Sequence, residues 1–141
     1  MKQTMQPSRA LRGPLAALTL ALCAGLAAAG DLSLSGDNEV PPVKTAATGK
    51  GTIAVAADGA VSGGIKTSGI AGTMAHIHVA AAGKNGPVAI PLAKGEDGAW
   101  NVPPGAKLSD EQLKSYKAGE LYVNVHSAEN KAGEIRAQLT P

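Results

Sequence analysis

The sequence has 141 residues, a length that suits one domain, and its 13 basic and 11 acidic residues give a formal net charge of +2 at pH 7. Aromatic residues account for only 2% of the chain, and phenylalanine is absent. The sequence therefore offers neither a basic patch nor aromatic side chains on which bases could stack, which excludes a nucleic-acid partner. The core has to come from Val, Ile, Leu and Ala, which suits closely packed β-layers.

Residues 1–29 have the features of a secretory signal peptide. Their basic residues precede the apolar stretch 15–26, which has the length of a secretory apolar region and is too short to span a bilayer. The small residues at 27–29 predict cleavage before Gly30, so we expect a periplasmic or secreted protein. The basic residues of this segment are Lys2, Arg9 and Arg12.

Two other fates of this segment stay open, an uncleaved amphipathic anchor and a lipoprotein attached through Cys23. Lipidation is disfavoured because Leu22, which precedes that cysteine, is larger than the small residue expected there. Cleavage removes three of the 13 basic residues and leaves ten against 11 acidic ones, a net charge of −1 for residues 30–141. We expect this domain to contain no cysteine and no membrane span.

From residue 32 onward, glycines and prolines divide the chain into short strands. Asp58-Gly59 is typical of a tight hairpin turn, and Pro91 indicates an edge strand because proline cannot donate to a central ladder. The consecutive prolines in 38–42 predict a rigid extended connection. The predicted strands cover residues 32–34, 48–56, 60–68, 74–81, 88–92, 99–102, 120–126 and 134–140. This pattern predicts an all-β Greek-key sandwich or barrel, with superoxide-dismutase-like or immunoglobulin-like layering.

A single short helix is predicted near residues 109–118. Ser109 is a favourable N-cap, and Gln112 three residues later completes a capping box. Leu113 and Tyr116 are expected to face the core. Gly119 is a suitable residue to end the helix.

All three histidines of the sequence fall within two of the predicted strands. Because side chains alternate between the two faces of a strand, His76 and His78 point the same way, together with Met74. His126 lies on the polar face of the strand 120–126. The opposite face carries Leu121, Val123 and Val125, which are expected to face the core, as is Ile77 of the first strand. If the two strands pair, three imidazoles and a thioether converge on one surface.

Several segments carry a family resemblance, and together they cover nearly all of residues 30–141 in order. They are LSGDNEVPP at 34–42, AHIH at 75–78 with GKNGPV at 83–88, and LYVNVHS at 121–127 with GEIRAQL at 133–139. The sequence resembles the CHRD domain, the module named after chordin, and in particular its small stand-alone bacterial members. The resemblance implies an exported β-sandwich domain and little about activity. The growth-factor antagonism of chordin depends largely on other modules and is not carried over.

The three histidines predict a metal site if their strands are neighbours. Adjacent strands lie about 4.8 Å apart, so imidazoles on one face can reach a common ion at about 2.0–2.1 Å per bond. We favour copper over zinc, with Met74 as an optional soft ligand for Cu(I). The arrangement resembles the copper side of copper/zinc superoxide dismutase. The expected role is sequestration or delivery of the metal ion.

Polar residues near the histidines are expected to orient them by hydrogen bonds. Such residues are Glu39, Asn124, Glu134 and Arg136, although Glu134 and Arg136 also fit a surface ion pair. The main alternative is a structural polar network in a non-catalytic module that contacts an unidentified envelope or extracellular protein. A superoxide-dismutase-like enzyme is disfavoured because three histidines cannot supply both a copper set and a bridged zinc set. We therefore predict no enzymatic activity.

Overall fold

A computed structural model describes residues 28–141. Residues 1–27 of the predicted signal peptide, with Cys23, lie outside the described residues, and the predicted cleavage position before Gly30 falls within the first strand. The strands are β1 Ala28–Ser35, β2 Thr48–Val55, β3 Val61–Ser68, β4 Gly72–Val79, β5 Val88–Pro91, β6 Ala93–Lys94, β7 Ala99–Asn101, β8 Leu121–Ser127 and β9 Ile135–Leu139. A short 3-10 turn covers Gly36–Asn38, and the helix α1 covers Asp110–Lys117.

These strands form one antiparallel sheet in the order β5-β4-β8-β9-β1-β2-β3-β7-β6. β5 and β6 belong to one segment, 88–94, whose first part pairs with β4 and whose second part pairs with β7. This segment brings the two ends of the sheet together as a nearly closed barrel. Because β3 pairs with β7 and β4 pairs with β8, non-consecutive strands are neighbours, as in a Greek key. The predicted all-β fold is confirmed.

The interior of the barrel follows the alternation of apolar side chains along the strands. Leu121, Val123 and Val125 of β8 have no solvent exposure, and Ile77 of β4 packs in the same cluster. The prediction that these residues face the core is confirmed. Because the interior is lined by aliphatic side chains, burial of their apolar surface supplies the main stabilisation of the barrel.

The helix α1 begins and ends as the sequence predicts. Ser109 accepts a hydrogen bond from the backbone of Gln112 and its own backbone N–H donates to the Gln112 side chain, which completes the capping box. Tyr116 is buried, Leu113 packs against the core, and Gly119 has the positive φ of +74° that favours glycine after a helix. Within residues 28–141, no helix combines the length and the apolar character needed to cross a membrane.

The outer face of β8 is covered by loops, whereas the sequence predicts only that it is polar. Tyr122, Asn124 and His126 point away from the core, yet every residue of β8 is buried. The loop 80–87 lies over this face because the backbone N–H of Gly86 donates to the Tyr122 hydroxyl at 3.3 Å. The loop 128–133 covers the other end through the carbonyl of Lys131, which accepts from His126 at 2.8 Å. The histidines therefore lie between the sheet and a layer of loops.

A matched pair of valines tests this assignment of inside and outside. Val123 has 0% exposure and Val88 has 48%. We expect Val123→Ala to lower the free energy of unfolding by about 2 kcal/mol because it removes buried apolar volume. Val88→Ala is expected to change it by less than about 0.5 kcal/mol. Urea unfolding of both variants measures the difference, and equal losses would contradict the described core.

Candidate metal centre

The pairing of β4 with β8 brings the three histidines together. In this antiparallel register His76 lies opposite Asn124, and Met74 lies opposite His126. His126 is therefore diagonal to His76, although the two residues are 50 positions apart in the sequence. The metal hypothesis requires the two histidine-bearing strands to be neighbours, and β4 and β8 are neighbours.

The ring nitrogens of the cluster are close enough to share one ion. One ligand atom from each of His76, His78 and His126 lies within 4.8 Å of the others. The closest pair, Nδ1 of His76 and Nε2 of His126, is separated by 3.0 Å. Two nitrogens bound to one tetrahedral ion at about 2.1 Å lie roughly 3.4 Å apart, so small side-chain rotations bring the three nitrogens to one point.

Hydrogen bonds on the far side of two rings fix which nitrogen faces the cluster. Nδ1 of His78 donates to the carbonyl of Gly86 at 2.9 Å, and Nδ1 of His126 donates to the carbonyl of Lys131 at 2.8 Å. In a neutral imidazole the other nitrogen then carries the lone pair. Nε2 of His78 is buried and has no hydrogen-bond partner among residues 28–141. This is the arrangement typical of histidines that bind a metal ion through Nε2.

Burial and charge repulsion lower the pKa of His76 and His78 and so favour their neutral forms. Burial lowers the pKa of His76, and the neighbouring His126 and His78 lower it further. Burial also lowers the pKa of His78, against the opposing effect of the Gly86 carbonyl. Because protons compete with metal ions for the same lone pairs, a lowered pKa leaves these nitrogens available at neutral pH.

Met74 lies at the exposed border of the cluster. It is directly opposite His126 and has 50% exposure. Its side chain is open to solvent, unlike the buried imidazoles of His78 and His126. The placement suits an optional ligand and leaves the three imidazoles as the fixed part of the site.

Asn124 and Glu39 lie next to each other beneath the cluster. Asn124 is 2% exposed, and its amide nitrogen donates to the carbonyl of Ala132 at 3.4 Å. A Cβ atom added to Gly133 would meet both the Glu39 carboxylate and the Asn124 amide nitrogen, which places these two groups side by side. Burial raises the pKa of Glu39, while Asn124 and Arg136 oppose the increase. Asn124 is thus adjacent to His76 across the strand pair, and Glu39 lies beside the Asn124 amide.

Glu134 and Arg136 have different surroundings. Glu134 accepts a hydrogen bond from Thr45 at 2.7 Å and has no hydrogen bond to a histidine. Arg136 is 1% exposed, and its guanidinium carbon lies 3.4 Å from the centre of the Tyr122 ring. The alternative of a surface ion pair is wrong, because both residues are buried and the described part of the chain contains no ion pair between them.

Two further residues, Tyr122 and Gly86, shape the site and are not among the predicted site residues. Tyr122 stacks on His78 with 4.8 Å between ring centres and also contacts Arg136, so it fixes the plane of that imidazole. A Cβ atom at Gly86 would overlap the carbonyl of Val79, so only glycine lets the loop 80–87 approach. The position of Tyr122 on the same strand face as His126 is the only signal in the sequence that points to its role.

The lowered pKa of His76 and His78 predicts how the stability of the metal-free protein depends on pH. Unfolding restores the ordinary pKa of 6.5, so the unfolded chain binds more protons than the folded one below this pH. We therefore expect the free energy of unfolding to fall as the pH drops from above 6.5 toward 5. Urea unfolding in the presence of a chelator measures this dependence.

The variant His76→Gln separates this effect from the titration of carboxyl groups. It removes one of the two histidines whose pKa is lowered, so its stability should fall less over the same pH range. The control Val88→Ala should show the pH dependence of the wild type. Glu39, with its raised pKa, acts in the opposite direction and is present in all three proteins. If His76→Gln showed the same pH dependence as the wild type, the lowered pKa of His76 would not contribute to the stability of the protein.

Comparison with known proteins identifies the family of the chain. The family model described as CHRD domain matches residues 31–139, which include the barrel and all three histidines. No curated protein and no solved structure matches the chain. The family assignment made from the sequence motifs is therefore confirmed, and the chain belongs to the CHRD domain family.

Proposed function

We propose that this protein is exported and binds one transition-metal ion through His76, His78 and His126. The observation that carries the proposal is the pair of hydrogen bonds from Nδ1 of His78 and His126 to loop carbonyls, which turn both Nε2 lone pairs toward the cluster. A purely structural network would be expected to satisfy the buried Nε2 of His78 with a donor from the protein.

Copper is the proposed ion, with zinc as the alternative. A set of imidazole nitrogens binds both metals, and divalent copper binds more tightly than zinc to a given nitrogen site. Met74 adds a further preference, because a thioether is a soft ligand that suits Cu(I). The proposed role is sequestration or delivery outside the cytoplasm, without enzymatic turnover.

Export rests on the composition of residues 1–29. Cell fractionation of the native host tests it directly, with the protein expected in the periplasm or the medium and shortened at its amino terminus. Recovery of the unprocessed chain in the cytoplasm would contradict this part of the proposal. A superoxide assay of the copper-loaded protein tests the absence of turnover.

The second candidate function is a non-catalytic interaction module with structural histidines. The direct contact of 3.0 Å between His76 and His126 favours it, because two neutral imidazoles can form a hydrogen bond to each other. In that case the histidines stabilise the barrel through hydrogen bonds and do not bind a metal ion. The two functions differ in what happens when a metal is added.

Metal titration with the His76→Ala variant distinguishes them. We expect the wild type to bind one equivalent of Cu(II) or Cu(I), and His76→Ala to bind at least about 100-fold more weakly, a larger effect than that of residues that only orient ligands. Binding should also raise the unfolding free energy by about 2.7 kcal/mol at a free metal concentration of 100 times Kd.

Val88→Ala is the matched control for this experiment. Val88 is exposed and lies on β5 opposite His78, so the variant changes the border of the site without removing a ligand. It should keep the affinity of the wild type. Equal metal affinity in His76→Ala and in the wild type would rule out the metal site. If neither protein binds metal and His76→Ala is less stable than the wild type, the interaction module is supported.

Met74→Leu tests the preference for Cu(I). Leucine keeps the apolar volume and removes the sulfur, so we expect weaker binding of Cu(I) and unchanged binding of Zn(II). Competition with a chromogenic Cu(I) chelator measures the first, and a zinc indicator measures the second. Unchanged binding of Cu(I) would show that the thioether is not a ligand.

A further inference from the structure

Asn124 is a buried polar residue next to the histidine cluster. It lies directly opposite His76 on the neighbouring strand and two positions before His126 on the same face of β8. Side chains that face each other across an antiparallel pair are separated by about 5 Å at Cβ. Its side chain therefore lies on the same outer face of the sheet as the three imidazoles, next to that of His76.

The orientation of the Asn124 amide follows from its neighbours. The amide nitrogen donates to the carbonyl of Ala132 and lies beside the Glu39 carboxylate. Both of these neighbours are acceptors, so the NH₂ group has to point toward them and the oxygen Oδ1 has to point away, toward the histidines. Asn124 also opposes the lowering of the pKa of His78, as an acceptor close to that ring does.

Among the described residues, three buried acceptor atoms in this region have no hydrogen-bond partner: Oδ1 of Asn124, Nε2 of His78 and Oε1 of Glu39. The first two are on the histidine side of the amide, whereas the third lies beside the Asn124 amide nitrogen. An unsatisfied buried acceptor is destabilising, and two neighbouring lone pairs also repel each other. A metal ion satisfies the imidazole nitrogen directly. It does not by itself satisfy the amide oxygen, because amide carbonyls suit harder ions such as magnesium or calcium better than copper or zinc.

We propose that the ion in its divalent form keeps one water molecule as its fourth ligand and that this water donates a hydrogen bond to Oδ1 of Asn124. The inference rests on the proposed metal site. The water binds the ion through an oxygen lone pair and donates one of its hydrogens to Asn124. Both acceptors on the histidine side, Nε2 of His78 and Oδ1 of Asn124, thereby obtain a partner. Three protein ligands with one water are also the arrangement of zinc sites that retain an exchangeable position.

Glu39 is the positioning residue of this arrangement. Its carboxylate, beside the NH₂ group of Asn124, prevents the amide from turning its oxygen away from the ion. The bound water makes one coordination position exchangeable, which a protein that delivers its metal needs. Small anions such as azide are expected to enter at that position.

Pulsed EPR of the protein loaded with one equivalent of Cu(II) tests the inference. We expect couplings from imidazole nitrogens and, after transfer to D₂O, a coupling from exchangeable deuterons of a water bound to copper. Nitrogen couplings without the deuteron coupling would overturn the inference and leave the proposed metal site intact. Absence of the nitrogen couplings would overturn the proposed function, and this inference with it.

The variant Asn124→Asp adds a readout that a structural role would not move. A carboxylate accepts more strongly from bound water than from hydroxide, so the midpoint at which the copper-bound water ionises should rise by about one pH unit. An unchanged midpoint in the folded variant would overturn the inference. The experiment in D₂O on the wild type does not depend on whether this variant folds.

Met74→Leu tests the alternative that the thioether, and not a water molecule, is the fourth ligand of Cu(II). The deuteron coupling should have the same size in this variant and in the wild type, because the water lies on the side of Asn124. A coupling that appears only after the methionine is removed would assign the fourth position to Met74 and overturn the inference.

Discussion

The register between β4 and β8 is the constraint on which the site depends. A shift of one residue in this pairing would turn Ile77 or Val123 outward and turn the histidines into the core. Burial of the aliphatic residues on the inner face therefore also fixes the position of the imidazoles on the outer face. The stability of the barrel and the geometry of the histidine cluster result from the same strand pairing.

Most polar groups on the buried outer face of β8 have hydrogen-bond partners in the loops that cover it. The side chain of Asn85 shows how this works: its nitrogen donates to the carbonyl of Val40 at 2.7 Å, and its oxygen accepts from Arg136 at 3.3 Å. These bonds connect the loop 80–87, the Pro-rich segment and the sheet. Polar burial of this kind favours one arrangement of the loops, since each alternative leaves a buried group without a partner.

Alternation along the strands was sufficient to predict the faces of Ile77, Val123 and the three histidines, and the capping residues were sufficient to predict α1. The partner of each strand was not predictable in this way, because local patterns carry no information about pairing between strands 50 residues apart. The sequence also does not reveal that Arg136 is buried, since a single arginine on a strand is usually at the surface. Its burial depends on Tyr122 and on loop carbonyls that only the folded chain brings together.

The hydrogen bonds from His78 to Gly86 and from His126 to Lys131 link the cluster to two separate loops. Any event that fixes the two rings also restrains these loops, which form the outer surface of the protein on this side. Binding of a metal ion would thus change the order of the two loops at the protein surface, without a change in the barrel. A partner that contacts both loops could in this way distinguish the loaded protein from the empty one.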